Sequence, residues 1–197
     1  MIPELPVSWV TSLERRLVTA VSVNTSPFTG TQEVQDWGGE WWEYQVSLAI
    51  LTPRDGKRVA AFFAALGGAR GRFIFRDPTV EAQGAVGPGV VSGAGQTGAE
   101  LLSAGWLPET VIMEAGDLFS LGFNDQTCLY QVTADVVSDA GGMARLPIIP
   151  SLRFSPVNGE AIEREAPKVL LRLTEPVPAQ IGRAGKYQFS FTAREAR

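Results

Sequence analysis

The sequence predicts a mainly β protein with a minor α component (α+β minor). It should have a β-sandwich or barrel-like core with one short packed helix, and further short strands forming a small barrel or sandwich. Three observations predict this. Glycine (21) and proline (13) are frequent, which favours many short strands joined by turns over long helices. The 197 residues are 45% hydrophobic and 19% charged, which suits one domain or two small ones with a buried core. The stretch Trp41–Pro78, WWEYQVSLAILTPRDGKRVAAFFAALGGARGRFIFRDP, changes from period 2 to period 3.6 and back, so strand, helix and strand succeed one another there.

Leu13 to Val23 ends in alternation, with Leu17, Thr19, Val21 and Val23 on one face, and reads as a first strand. Asn24, Ser26-Pro27 and Gly30 supply turn residues, and a second turn is expected at Gly38-Gly39. From Trp42 to Ile50 the even residues Trp42, Tyr44, Val46, Leu48 and Ile50 face one way. Glu43, Gln45, Ser47 and Ala49 face the other, as in an antiparallel sheet buried on one side.

The helix follows at once. Thr52 is the expected N-cap, Pro53 suits the first helical position, and Asp55 favours the positive end of the dipole. Val59, Phe62, Phe63 and Leu66 recur at i, i+3, i+4 and i+7 as one apolar stripe. Gly67-Gly68 ends it, while Gly56 weakens its first turns by roughly 1 kcal/mol relative to alanine. Phe73 to Phe75 is the return strand, stopped by Asp77-Pro78.

Beyond Glu81 the texture turns to glycine and small residues, so a boundary or long loop is expected near Asp77–Ala85. Short strands are expected at Val111–Glu114, Leu118–Leu121, Leu129–Val136 and Ala144–Ile149, with turns between them. Pro150–Pro167 reads as loop and Val169–Leu173 as a strand. Tyr187, Phe189 and Phe191 alternate with polar residues, and this last strand is expected to pair back into the first domain. Residues 1–82 together with 181–197 then form a discontinuous core domain, and 83–180 an inserted β-rich domain.

Histidine is absent from the sequence and cysteine occurs once, at Cys128. That excludes a Ser-His-Asp triad, a Cys-His pair, a histidine metal ligand, an intrachain disulfide and a thiolate cage. Cys128 sits in an alternating run and reads as a small buried hydrophobe. No catalytic, cofactor-binding or metal-binding residue is expected. The net charge is −4, without the basic face of a nucleic-acid-binding domain. Arg70, Arg72 and Arg76 share one strand face, read as solvated or salt-bridged. The start, MIPELPVSW, has no basic region or apolar run of a signal peptide, and no apolar run is long enough to cross a bilayer. Synthesis and assembly in a cytoplasm, with no membrane insertion, are expected.

Three patterns look chemical. Gly93–Gly98 matches G-x-G-x-x-G to the letter, but AELLSAGW leaves no room for the crossover helix of a dinucleotide site, so it reads as a glycine-rich loop. Glu114, Asp117, Asp125, Asp135 and Asp139 lie mostly at turns, where side-chain–backbone bonds are their ordinary use. Trp37, Trp41 and Trp42 cluster in sequence and suggest a stacking platform, but Trp42 belongs to an apolar strand face and reads as core or interface.

The alternating strand, proline-started helix with FFAAL, glycine break and FxFRDP of Trp41–Pro78 resembles the distal tail proteins of long-tailed, non-contractile bacteriophages. The resemblance extends to SPFTGTQEVQDWGGEWW (Ser26–Trp42) and to the closing YQFSFTAREAR (Tyr187–Arg197). Gly95–Trp106, Ala115–Gly122 and Leu146–Arg153 are similar to an insert of longer members. The match covers most of the chain, by pattern more than by individual residues. It implies a structural virion protein at the tail tip: a homo-oligomeric ring, commonly a hexamer, joining the tail tube protein to the baseplate hub and the tape-measure protein. It further implies an OB-like form for the inserted domain, and no catalysis or cofactor. From a different class, a β-rich carbohydrate-binding module using Trp37, Trp41, Trp106 and turn carboxylates is the alternative, with host-receptor binding by the insert as a hybrid.

Overall fold

The computed structural model of the chain describes residues 2–80 and 84–196. The fold is β-rich, with 46% of residues in strands and one short α-helix. In chain order the elements are β1 (Val10–Thr25), β2 (Gln32–Leu48), α1 (Pro53–Leu66), β3 (Phe73–Arg76), β4 (Val90–Val91), β5 (Gly98–Ala104), β6 (Val111–Met113), β7 (Leu118–Leu121), β8 (Cys128–Val132), β9 (Val136–Val137), β10 (Ala144–Leu152), β11 (Lys168–Leu173), β12 (Gln180–Ile181), β13 (Tyr187–Gln188) and β14 (Ser190–Glu195). Two five-stranded sheets, β1-β2-β14-β11-β3 and β4-β5-β10-β8-β7, carry the fold, and they curl into a half-barrel.

The first sheet and α1 share one core. Thr52 Oγ1 accepts from the Asp55 N–H at 3.2 Å, Pro53 opens the helix, and Gly67 closes it in the left-handed conformation at φ 64°, the stop signal its lack of a Cβ allows. Val59, Phe63 and Leu66 are buried against Phe73, Phe75, Phe189 and Phe191. Phe63 lies 5.2 Å from the Phe191 ring and Phe62 5.9 Å from that of Phe73, distances at which tilted aromatic pairs attract. The β3 edge is covered by the N-terminal segment: Leu5 N–H donates to the Ile74 carbonyl at 3.1 Å and Ile74 N–H to that of Pro3 at 2.9 Å. Such cover blunts an edge that would otherwise recruit another strand.

The second sheet surrounds Leu101, Ile112, Phe119, Tyr130 and Leu146. Its two edges meet one segment, 159–163. Val91 N–H donates to the Glu160 carbonyl (2.8 Å), Ile162 N–H to that of Gly89 (3.0 Å), and Ser120 and Glu163 exchange both bonds (2.8 and 3.1 Å).

The backbone departs from the sequence reading at several points: the strand expected at Leu129–Val136 is split into β8 and β9, Ile50 lies beyond the end of β2 and is 68% exposed, and three further differences bear on the fold. Gly38-Gly39 is not a turn: β2 runs through it, with the register slipping between Thr19 and Val21. Gly38 takes φ 66°, and its N–H donates to Asp36 Oδ1 at 2.8 Å, so the glycine makes a bulge inside a long strand. β5 was not expected, because Ala99, Glu100 and Leu101-Leu102 favour helix in isolation and only tertiary pairing with β10 makes them a strand. Lastly, β11 falls within 83–180 by number, yet lies between β14 and β3 in the first sheet. Val169, Leu170 and Leu171 are all buried, the continuous apolar run of a central strand rather than an alternating one.

Candidate functional site

β1 and β2 pair from Val10 opposite Leu48 to Thr25 opposite Gln32, but β14 flanks β2 only from Glu43 to Ser47. Past Glu43 the two strands leave the sheet as a hairpin arm, closed by the Ser26–Thr31 turn, in which Ser26 N–H donates to the Thr31 carbonyl at 2.9 Å. Seven residues of β1, Thr19–Thr25, lie in it, giving an arm about 20 Å long at roughly 3.3 Å per residue.

The arm continues the core face. Leu13, Arg15 and Leu17 lie opposite Val46, Tyr44 and Trp42. Alternation then places Val21 and Val23 on the same side as Leu17, and Val23 is paired with Val34. Here the cover ends: Val21, Val23 and Val34 are 42, 55 and 62% exposed, Trp37 is 70% exposed, and Phe28 in the turn is 95% exposed. An isolated two-stranded hairpin is marginal in water. Exposed apolar side chains gathered on one, here beside Asp36 opposite Val21, mark an interaction surface.

The base of the arm is firmly held. Arg15 Nη1 donates to Asp77 Oδ2 at 2.5 Å, the Tyr44 hydroxyl donates to the same oxygen at 3.2 Å, and the guanidinium lies 5.7 Å over the Trp42 ring. Burial, with Asp77 beside it, pushes the Tyr44 hydroxyl pKa well above the ordinary tyrosine value, so it stays a proton donor. On the outer face Glu43 accepts from the Trp41 indole (3.0 Å) and from Arg16 Nη2 (2.6 Å). These bonds, the Trp41 one foremost, hold its carboxyl below the ordinary value. From the second sheet, Ser151 N–H donates to Glu40 Oε2 at 2.8 Å and Arg153 Nη2 to the Glu40 carbonyl at 3.0 Å. Arg153 also pairs with the buried Glu195.

The residues singled out in the sequence do not converge. Trp42 is core, and its indole N–H donates to the Leu129 carbonyl at 3.0 Å. Trp106 is buried, its indole N–H on Ser103 Oγ at 2.8 Å, so it can stack on no ligand. Trp41 is half-buried, with the Arg194 guanidinium 5.5 Å above it, and Trp37 alone of the sugar-platform set stands open. The glycine-rich loop Gly93–Gly98 is filled by its own Gln96, whose amide donates to the carbonyls of Ser92, Gly93 and Leu102 and accepts from the Leu102 N–H at 2.6 Å. Strand β5 follows it, not a helix.

Among the carboxylates, Asp117 accepts from Glu114 N–H, Asp135 from Ala115 N–H, and Asp139 from Gly141 and Met143 N–H, all at 2.8–2.9 Å. Asp117 and Asp139 hold local turns, whereas Asp135 ties a residue 20 positions away. Arg76 pairs with Glu4 at 2.5 Å, while Arg70 is exposed and Arg72 half-buried. A cavity of about 560 Å³ is lined by Arg15, Val80, Met113, Glu114, Asp117 and Arg164. Its arginines are tied to Asp77 and to the Gly84 carbonyl. Among the described residues no cluster of three or more carboxylates and cysteine stands ready for a metal ion.

No protein-family model matches the chain, and no curated protein matches it either. The arm was the feature least visible in sequence. Alternation marked Val21 and Val23 as one strand face, but the expected turn at Gly38-Gly39 cut β2 short and hid the pairing with Val34.

Proposed function

We propose that the chain is a structural virion protein, the subunit of a ring at the distal end of a phage tail tube. The observation that carries this reading is the hairpin arm, whose apolar face extends the core face beyond any cover its own chain supplies. A subunit that closes a ring needs two unlike surfaces that meet head to tail. A rigidly based arm is well suited to be one of them. The sequence pattern at Ser26–Pro78 and Tyr187–Arg197, similar to distal tail proteins, is the second support. In this reading the role is mechanical, without catalysis or cofactor. Further copies of the chain are the first partners; the tail tube protein, baseplate hub and tape-measure protein are the others.

Native mass spectrometry and negative-stain microscopy test the reading, on the chain alone and mixed with a phage tail tube protein. Closed rings that cap tube ends are expected. A chain that stays monomeric at its highest attainable concentration, and forms no ring beside tube protein, would overturn it. The glycan-binding alternative rests on Trp37 alone, and a glycan array silent for the wild-type chain removes it.

A further inference from the structure

Resting on that ring reading, the geometry points to the partner of the arm: the outer face of helix α1 on the next copy of this chain. Three observations carry the assignment.

The first is charge. Between Arg16 and Arg54 the sequence has no cation, and its carboxylates are Glu33, Asp36, Glu40 and Glu43. Glu40 and Glu43 are engaged at the base of the arm. Glu33 and Asp36 are exposed and, among the described residues, meet no cation. On α1 the exposed side carries Arg54, Lys57 and Arg58. Among the described residues only Arg58 of these has an acidic neighbour, Asp55 at 3.8 Å. Asp36, paired with Val21, lies on the valine face, and Glu33, paired with Asn24, on the other; an arm that carries carboxylates and no cation complements a basic helix face, which steers encounter and fixes register.

The second is shape. Val21, Val23 and Val34 share one face of the arm with Asp36, which pairs with Val21, on the side of the sheet against which α1 packs, and no described helix lies over the arm itself. The outer side of α1 is flat, with Ala61, Ala64 and Ala65 exposed between the cations at its start and Arg70 just beyond its end. The helix of 14 residues is about 21 Å long, close to the length of the arm.

The third is direction. α1 begins beyond Leu48, at the end of β2 opposite the arm. Asp36 and Leu48 are separated by about 40 Å of extended strand, so the arm cannot fold onto Arg54 and Lys57 of its own chain. The contact joins unlike patches on two copies, which closes into a ring if the rotation allows and otherwise runs on as a filament.

Charge exchange tests the contact. One variant reverses the arm (Glu33→Lys with Asp36→Lys), a second reverses the helix (Arg54→Glu with Lys57→Glu), and assembly is followed by sedimentation velocity. All four sites are exposed, and Arg54 lies in the first turn of α1, where glutamate suits the helix dipole. Circular dichroism melts verify that each variant folds. Each variant alone should assemble at least roughly tenfold more weakly than wild type, because like charges now face each other. Mixed in equal amounts they should assemble again, since every arm then meets a helix of opposite sign. Wild-type oligomers that both variants form equally well would overturn the arm–helix contact and leave the ring itself standing. Weakened variants that fail to assemble when mixed would also overturn it. A monomeric wild type would remove both the contact and the ring.

Discussion

The Trp42 indole N–H donates to the carbonyl oxygen of Leu129 at 3.0 Å, one of several bonds that join the two sheets. Trp42 is on β2 of the first sheet, whereas Leu129 is on β8 of the second, and both are buried. Trp42→Phe removes the donor and leaves a buried carbonyl unpaired. A loss of about 2–4 kcal/mol is expected from the orphaned acceptor and the smaller ring, read as a melting temperature lower by roughly 10 °C. One shared transition should move. Two separate transitions, with only one displaced, would show that the halves unfold independently.

Gly56 carries the second prediction. In an exposed helix, alanine for glycine gains up to about 1 kcal/mol. Here the sign reverses, because a Cβ on Gly56 would stand 2.3 Å from the Tyr187 ring, and Tyr187 is tied to Leu51 by backbone bonds at 2.8 and 3.2 Å. Gly56→Ala should destabilise by about 1–3 kcal/mol in chemical denaturation. Tyr187→Ala in the same chain should relieve part of that cost.

Arg153 and Glu195 form a buried ion pair. Glu195 Oε2 also accepts from the Trp42 N–H at 3.1 Å. Removing one partner strands a buried charge, so Arg153→Met should cost about 3–5 kcal/mol. Arg153→Met combined with Glu195→Gln should cost less than the sum of the two single changes. Additive losses in urea titrations would argue against coupling.

Glu43 gives a pH dependence with a defined sign. Its carboxyl is held below the ordinary value of 4.5 by the Trp41 indole and by Arg16. The stability it contributes is therefore present above pH 4.5 and is lost as pH falls through the lower, folded-state value. Glu43→Gln should flatten the acid limb of the stability curve below that point and leave the slope near neutrality unchanged. An acid limb as steep as wild type would contradict it.

Local chemistry was legible where a residue type has one dominant use. Thr52, Pro53 and Gly67 set the bounds of α1, and the aromatic alternation of Tyr187–Phe191 marked the last strand. Asp117 and Asp139 make the local backbone bonds that their turn positions suggested. What tertiary pairing decides was hidden. β5 looks helical until β10 lies beside it, and β11 has no alternation because both of its faces are buried. Gly38 reads equally as turn or bulge, and only its partner strand settles which. The arm's exposure was illegible for the same reason: Val21, Val23 and Val34 look like core residues, and only the end of β14 shows that their cover stops.

The most direct measurement is native mass spectrometry on the wild-type chain and on a chain whose arm, Ala20 to Gly38, is replaced by a tight Asn-Gly turn. The wild type should give one closed oligomeric mass, and the shortened chain a monomer with an unchanged melting temperature. A shortened chain that still gives the wild-type oligomer would contradict the assembly role of the arm. A wild type that is monomeric at every concentration would contradict the ring.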